Sequence, residues 1–167
     1  MNYYTTVIKN LIDLFLDKKF AVVEEEIRAV LEETESDQAP RKDVGFIKHI
    51  CYTLLGLVAF EEENIDQASK YLIESIHVPE SPVLKTFGAS MLLAYKLSRI
   101  GDNKNVELFL VECKKAAAWW YIPLLFKLSK WISSLKKGQK PQFEKNIYLH
   151  FAIDKNLLER LENYAPL

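Results

Sequence analysis

Glycine and proline are scarce in this sequence, with 5 and 6 of them among 167 residues. Both residues are costly inside helices, so a chain that avoids them and uses much Leu, Lys, Glu and Ala is typical of long helices. The 2 cysteines, Cys51 and Cys113, lie far apart in apolar surroundings, and the N-terminus lacks the basic start and cleavage site of a signal peptide. We therefore expect a reducing, cytoplasmic setting and a fold that needs no disulfide.

Long apolar runs and catalytic motifs are missing as well. The longest uninterrupted apolar stretch, residues 116–126, ends at Lys127 after 11 residues, which is too short to cross a bilayer. The sequence has no GxxxxGK[ST], GxGxxG, GxSxG, HExxH or CxxC pattern. A helix would point His49 and Cys51 in different directions, so this pair does not make a metal site. We therefore expect no enzymatic activity, no cofactor and no metal.

Apolar residues recur at the period of an α-helix along nearly the whole chain. This pattern predicts an all-α domain over residues 1–167, with seven or eight helices joined by short turns that make neighbours antiparallel. The predicted hairpins cover about residues 3–35, 44–78 and 82–117, and closing helices follow over 123–163.

Several residues predict where helices begin and end. Pro82 suits the first turn of a fifth helix that continues to Ile100, and Gly101 suits a left-handed helix end. Asp154 is a good N-cap for the last helix. The polar stretch 36–43 predicts a loop. Residues 145–153 are the part of the chain that comes closest to a strand pattern.

Two parts of the sequence share the same internal spacings. The first contains Tyr52, Leu55-Gly56, Ala59, Ala68, Leu72 and Ser75; the second contains Leu93-Ala94, Leu97, Gly101-Asp102, Val106, Leu110 and Cys113. Gly56 and Ala94 are 38 residues apart, as are Ala68 and Val106. In its Leu-Gly pair and small residues the pattern resembles the tetratricopeptide repeat, although that family has a period of about 34 residues.

The resemblance implies stacked helical hairpins with a concave surface that holds a peptide segment. Transferred by spacing, the residues that would face this surface are Thr53, Leu57 and Phe60 from one hairpin and Met91, Tyr95 and Arg99 from the next. The expected function is a non-catalytic protein-protein interaction module or adaptor. Its partner would be another protein or a peptide segment, apolar with some acidic character that suits Arg99.

Charge is unevenly distributed along the chain. Residues 1–80 carry 8 basic and 16 acidic residues, a net −8, whereas residues 81–167 carry 14 basic and 7 acidic residues, a net +7. Such asymmetry could steer an acidic partner to the second half or a second copy of the chain head to tail, and an inhibitor or immunity-type protein could use the acidic first half. A compact fold that balances its own charges explains it too.

The stretch from Lys114 to Lys140 combines three tryptophans with many lysines and has no acidic residue. This composition suits a peripheral membrane-surface helix, which is the main alternative function. It also suits a helix that closes the fold, with Leu124, Leu128, Trp131 and Leu135 buried and the lysines in water. We favour the closing helix and predict that Trp131 is buried. Nucleic acid is not expected, because arginine is rare here and the overall charge is not basic.

Overall fold

The computed structural model describes residues 3–35 and 41–166, and in these residues every regular element is helical. The predicted all-α class is confirmed, whereas the predicted number of seven or eight helices is too low, because residues 3–35 and 41–166 contain nine α-helices. The α-helices of the described residues are α1 (Tyr3–Leu16), α2 (Phe20–Thr34), α3 (Arg41–Glu61), α4 (Ile65–Glu74), α5 (Pro82–Phe87), α6 (Leu92–Ile100), α7 (Asn103–Ala116), α8 (Ile122–Lys136) and α9 (Lys155–Tyr164), with a 3₁₀ helix at Glu144–Tyr148 between the last two. Residues 145–153, the stretch closest to a strand pattern, overlap the 3₁₀ helix and form no strand.

The predicted fifth helix is wrong as a single element, because the chain breaks it into α5 and α6. Gly88 follows α5 with φ 87° and ψ 176°, a conformation outside the helical region that glycine adopts without steric cost. Its carbonyl accepts a hydrogen bond from His150 Nε2–H at 2.7 Å instead of continuing a helical ladder. Ala89 and Met91 are nevertheless buried, so the apolar pattern runs through the break and hides it.

The other predicted helix ends agree with the structure. Pro82 lies in the first turn of α5, and Gly101 ends α6 in the left-handed conformation with φ 96°. The Asp154 side chain accepts a hydrogen bond of 2.9 Å from the Leu157 backbone N–H at the start of α9. The predicted loop over residues 36–43 lies mainly outside the described residues, and α3 begins at Arg41.

Helix α3 occupies the centre of the packing and contacts α1, α2, α4, α5 and α6. Its buried apolar side chains include Ile47, Ile50, Leu54, Leu57 and Val58. A Cβ atom on Gly56 would lie 2.2 Å from Leu93 Cδ2 and 3.2 Å from Tyr71 Cβ. The absence of a side chain at Gly56 therefore permits the close approach of α4 and α6 to α3.

Within the described residues, one helical stretch is long and apolar enough to cross a membrane. It is Val44–Glu61 in α3, 18 residues with a mean hydropathy of 1.4. Polar residues interrupt the stretch, so it contains no long uninterrupted apolar run. In the fold, 61% of it is buried by other helices of the same chain, as expected of a core helix.

A buried histidine connects three parts of the core. His49 on α3 donates from Nδ1 to the Ser75 carbonyl at 2.8 Å and accepts at Nε2 from the Ser90 backbone N–H at 3.0 Å. Both partners are backbone groups outside the helices, which would otherwise be buried without a hydrogen bond. Burial lowers the pKa of His49 to about 3, so the ring is neutral near pH 7.

The C-terminal part of the chain packs back onto the first half. The 3₁₀ helix contacts α6, and the Met91 backbone N–H donates to the Asn146 carbonyl at 3.2 Å. Helix α9 contacts α1, where Arg160 forms ion pairs with Asp13 at 2.5 Å and Asp17 at 2.7 Å. The basic second half of the chain therefore balances part of the acidic first half within the molecule.

Candidate functional site

The six residues predicted to face a partner do not form one surface. Thr53, Leu57 and Met91 are only 2%, 0% and 1% exposed, so the prediction that they contact a partner is corrected: they are packing residues. The Thr53 hydroxyl donates to the His49 carbonyl one turn earlier at 2.7 Å. The physical reason is that α6 and the C-terminal segment lie against the side of α3 that the repeat pattern leaves open.

Phe60 belongs to a separate half-buried cluster. Lys96 Nζ lies 5.6 Å from the centroid of its ring and 3.8 Å from that of Tyr164. The Tyr164 hydroxyl donates to Glu61 at 2.6 Å, and Glu61 pairs with Lys96 at 3.6 Å. Burial lowers the pKa of Lys96, and Glu61 opposes that shift. Residues of the chain itself therefore satisfy the polar groups around Phe60.

Tyr95 and Arg99, the remaining two, line a cavity of about 590 Å³ between α6, α8 and residues 140–149. Its lining also contains Lys127, Lys140 and Lys145, and Glu144 is its one carboxylate. We name this cavity the basic groove. None of its four cations forms an ion pair with a carboxylate of the described residues, so an excess of positive charge faces the opening.

Buried aromatic contacts hold the walls of the basic groove in place. Trp131 on α8 donates from Nε1 to the Gln142 carbonyl at 2.9 Å, and its ring packs edge-on against Phe143 at 5.1 Å between centroids. On the opposite wall the Arg99 guanidinium lies 5.7 Å from the centroid of the Tyr95 ring. The wall that contains Gln142 and Phe143 is therefore anchored to α8, and such preorganisation of a binding surface lowers the entropy cost of binding.

A smaller cavity of about 180 Å³ continues the basic groove toward α5. The two cavities share Lys127, Asn146 and Leu149, and the smaller one is also lined by Phe87 and Tyr121. The combined surface therefore runs from a cationic end near Arg99 to an apolar end.

A second surface lies where α7 meets α8. Trp119 is 80% exposed, Trp120 65%, Ile122 70% and Phe126 69%, and Tyr121 between them is exposed as well. We name these five residues the aromatic ridge. The two indole rings contact each other edge to face, with 5.7 Å between centroids. Isolated exposed apolar residues are normal on a protein surface, but a contiguous group of this kind marks an interaction site.

The other side of α8 behaves as predicted. Leu124, Leu128, Trp131 and Leu135 are buried, so the prediction that Trp131 packs against the protein is confirmed. Trp131 is therefore not available to a membrane surface. The indoles available to an outside surface are those of Trp119 and Trp120.

Sequence reasoning missed most of both surfaces. Lys127, Lys140 and Lys145 come from α8 and the segment after it, and only the fold brings them next to Arg99. The aromatic ridge did leave a signal. Residues 119–122 are four consecutive large apolar residues, and a helix cannot bury four in a row on one face.

The reactive side chains of the core are inaccessible. Cys51 and Cys113 are buried free thiols, and burial raises the pKa of Cys51 to about 12 and raises that of Cys113 further. Neither thiol forms a thiolate near neutral pH. Across residues 3–35 and 41–166, no group of three or more His, Cys, Asp or Glu side chains is placed to hold a metal ion.

Comparison with protein-family models, with curated proteins and with solved structures finds no match to this chain.

Proposed function

We propose that this protein is a non-catalytic interaction module, an adaptor that binds an acidic, partly apolar segment of another protein in the basic groove. The observation that carries the proposal is the set of four cations, Arg99, Lys127, Lys140 and Lys145, around one cavity without ion-pair partners among the described residues. An acidic segment is the complementary occupant, because it supplies the missing carboxylates.

The groove offers both kinds of contact that a peptide segment needs. Arg99 presents a planar guanidinium, which can hold a carboxylate through two parallel hydrogen bonds. The lysines add attraction that raises the association rate and selects against basic segments. At the other end, Phe87 and Tyr121 line an apolar hollow of a size for one side chain.

The finer architecture belongs to the same proposal. We propose that the hairpins α3–α4 and α6–α7 stack as a short array similar to tetratricopeptide repeats. In support, α4 contacts both α6 and α7, and Gly56 lies against Tyr71 of its own hairpin and Leu93 of the next. The free thiols of Cys51 and Cys113 are in keeping with a reducing, cytoplasmic setting.

Selection from a random peptide library tests the groove directly, because the library contains acidic, basic and apolar segments alike. We expect peptides selected on the full chain to be enriched in Asp and Glu next to an apolar residue. In fluorescence anisotropy, the labelled selected peptides should bind Arg99→Glu/Lys145→Glu at least about tenfold more weakly than the unmodified chain. Their binding to the unmodified chain should weaken at high salt.

Lys70→Glu/Lys104→Glu is the matched control, since it makes the same charge change at exposed positions on α4 and α7, away from the groove. It should bind like the unmodified chain. Selected peptides without acidic enrichment, or equal weakening by both double variants, would show that the groove is not the binding site.

A further inference from the structure

The aromatic ridge adjoins the basic groove at Tyr121, which lines the smaller cavity. The other four ridge residues line neither the basic groove nor that cavity, and they need an occupant of their own. Of the exposed large apolar side chains in the described residues, Val22, Ile100 and Leu108 are scattered singly on other helices. The others are the ridge residues and Phe87, which lines a small cavity together with Tyr121. Apolar exposure is thus concentrated at one end of the α7–α8 hairpin.

The ridge is a supported projection. Its base is held by Ala118, whose backbone N–H donates to the Lys85 carbonyl at 2.9 Å, and by Leu124, which is buried in the core. Between these two anchors the Tyr121 N–H donates to the Ala118 carbonyl at 3.0 Å, which closes a tight turn. The large side chains of residues 119–122 are displayed by this turn while both ends stay fixed.

The charge around the ridge is positive on balance, although Glu80 lines a cavity together with Trp119 and Trp120. No acidic residue occurs from Lys114 to Lys140. Lys85 and Lys115 are paired with Glu80 and Glu112. Lys114, Lys127 and Lys130 form no ion pair with a carboxylate of the described residues.

These features match the interface of an anionic lipid bilayer. Trp and Tyr rings have an apolar body and a polar edge, which suits the headgroup level, while Ile and Phe enter the acyl boundary. Neighbouring lysines meet lipid phosphates and acidic headgroups. The Trp119 and Trp120 indole N–H groups have no hydrogen-bond partner in the described part of the chain. Headgroups and interfacial water satisfy such donors without a shaped site.

We propose that the aromatic ridge docks this protein on anionic membrane surfaces, with Trp119, Trp120, Ile122 and Phe126 in the interface and Lys114 and Lys130 on acidic lipid. Docking is peripheral, and the four apolar residues and two lysines that carry it line neither the basic groove nor its smaller extension.

Vesicle cosedimentation of the full chain tests this proposal. We expect binding to vesicles of phosphatidylcholine with about 30% phosphatidylserine to be at least about tenfold stronger than to phosphatidylcholine alone, and to weaken as salt is raised. Trp119→Ala/Trp120→Ala and Lys114→Glu/Lys130→Glu should each reduce it by about tenfold or more. Lipids brominated in the acyl chain should quench tryptophan fluorescence in the unmodified chain but not in Trp119→Ala/Trp120→Ala, which keeps only the buried Trp131.

The matched controls are Ile100→Ala/Leu108→Ala for apolar exposure and Lys70→Glu/Lys104→Glu for charge; both should bind vesicles like the unmodified chain. Absence of a preference for anionic vesicles, or equal binding by ridge and control variants, would overturn the proposal. So would a self-association of the unmodified chain that ridge variants lose in analytical ultracentrifugation without any vesicle binding, because a second copy would then be the occupant. Peptide binding in the basic groove is measured independently and should be unchanged by Trp119→Ala/Trp120→Ala.

Discussion

Trp131 and the pair Trp119-Trp120 lie in the same stretch of sequence but have opposite environments. Trp131 is buried, donates to the Gln142 carbonyl and packs on Phe143, whereas the other two indoles stand in solvent against each other. The residue type is the same, so composition does not decide the role. The position of each side chain relative to the core does: Trp131 lies on the inner side of α8, whereas Trp119 and Trp120 lie in the turn before α8.

The two sites therefore differ in what they contribute. Burial of a large apolar side chain stabilises the fold, because its surface leaves water on folding. The aromatic ridge leaves most of its surface in water, so it adds little to folding and is available to a partner surface. Substitutions of the buried Trp131 and of the exposed Trp119 and Trp120 separate these contributions.

The largest expected effect is the loss of stability when the buried Trp131 side chain is removed. Trp131→Ala removes a core side chain and leaves the Gln142 carbonyl without its donor, so we expect the free energy of unfolding to fall by about 3–5 kcal/mol. Trp119→Ala/Trp120→Ala should change it by no more than about 0.5 kcal/mol. Urea unfolding followed by circular dichroism measures both; equal losses would mean that the ridge is packed in solution.

The second-largest expected effect is a loss of stability when a side chain is added at Gly56 in the core. Gly56→Leu places a side chain where a Cβ atom alone would lie 2.2 Å from Leu93 Cδ2, and overpacking of this kind costs about 1–3 kcal/mol. Lys70→Leu puts the same side chain on the exposed face of α4 and should leave the melting temperature nearly unchanged. If Gly56→Leu melts like the unmodified chain, α3 does not approach α4 and α6 this closely.

Acid should lower the stability of the fold through the buried His49. The pKa of His49 is about 3 in the folded state and about 6.5 unfolded. Between these values the unfolded chain binds more protons, so stability is complete above pH 6.5 and falls by at most about 1.4 kcal/mol for each pH unit below it. Burial lowers the pKa of the neighbouring His150 too, which adds to the loss.

The pH prediction is measured by urea unfolding at pH 7, 6 and 5. His49→Gln keeps one donor and one acceptor without a titrating group, so its stability, although lower at pH 7, should depend less on pH over this range. An unchanged slope in His49→Gln would assign the acid sensitivity to other groups.

The smallest expected effect concerns the basic groove. Arg99 is exposed and makes no ion pair among the described residues, so Arg99→Glu should shift the free energy of unfolding by no more than about 0.5 kcal/mol. Arg160→Glu breaks the pairs with Asp13 and Asp17 and should cost up to about 1 kcal/mol. If Arg99→Glu lowered the free energy of unfolding more than Arg160→Glu does, Arg99 would contribute to the stability of the fold.

Local signals predicted the helices well. The helical period, the Asp154 N-cap, Pro82 and Gly101 each act within one or two turns, so their effects can be read from neighbouring residues. The break at Gly88 was missed because it depends on a partner far along the chain, His150, and because Ala89 and Met91 remain apolar through it.

The candidate site was predicted only in fragments. Tyr95 and Arg99 do line the basic groove, yet Thr53, Leu57 and Met91 are buried. Transfer by repeat spacing assumes that one side of α3 and α6 stays open. In this chain the segment after α8 lies on α6, and its Asn146 carbonyl bonds to Met91, so the open surface is displaced toward α8.

The sequence by itself determined the all-α class, most helix boundaries and the burial of Trp131, because apolar periodicity and capping are properties of a few adjacent residues. Only the tertiary structure decided which helices lie side by side and which surfaces remain uncovered. It gathers Arg99, Lys127, Lys140 and Lys145 around one cavity and leaves Trp119 and Trp120 without a covering element. The physical reason is that a side chain is buried only where another segment covers it. Segments far along the chain therefore decide which side chains stay exposed.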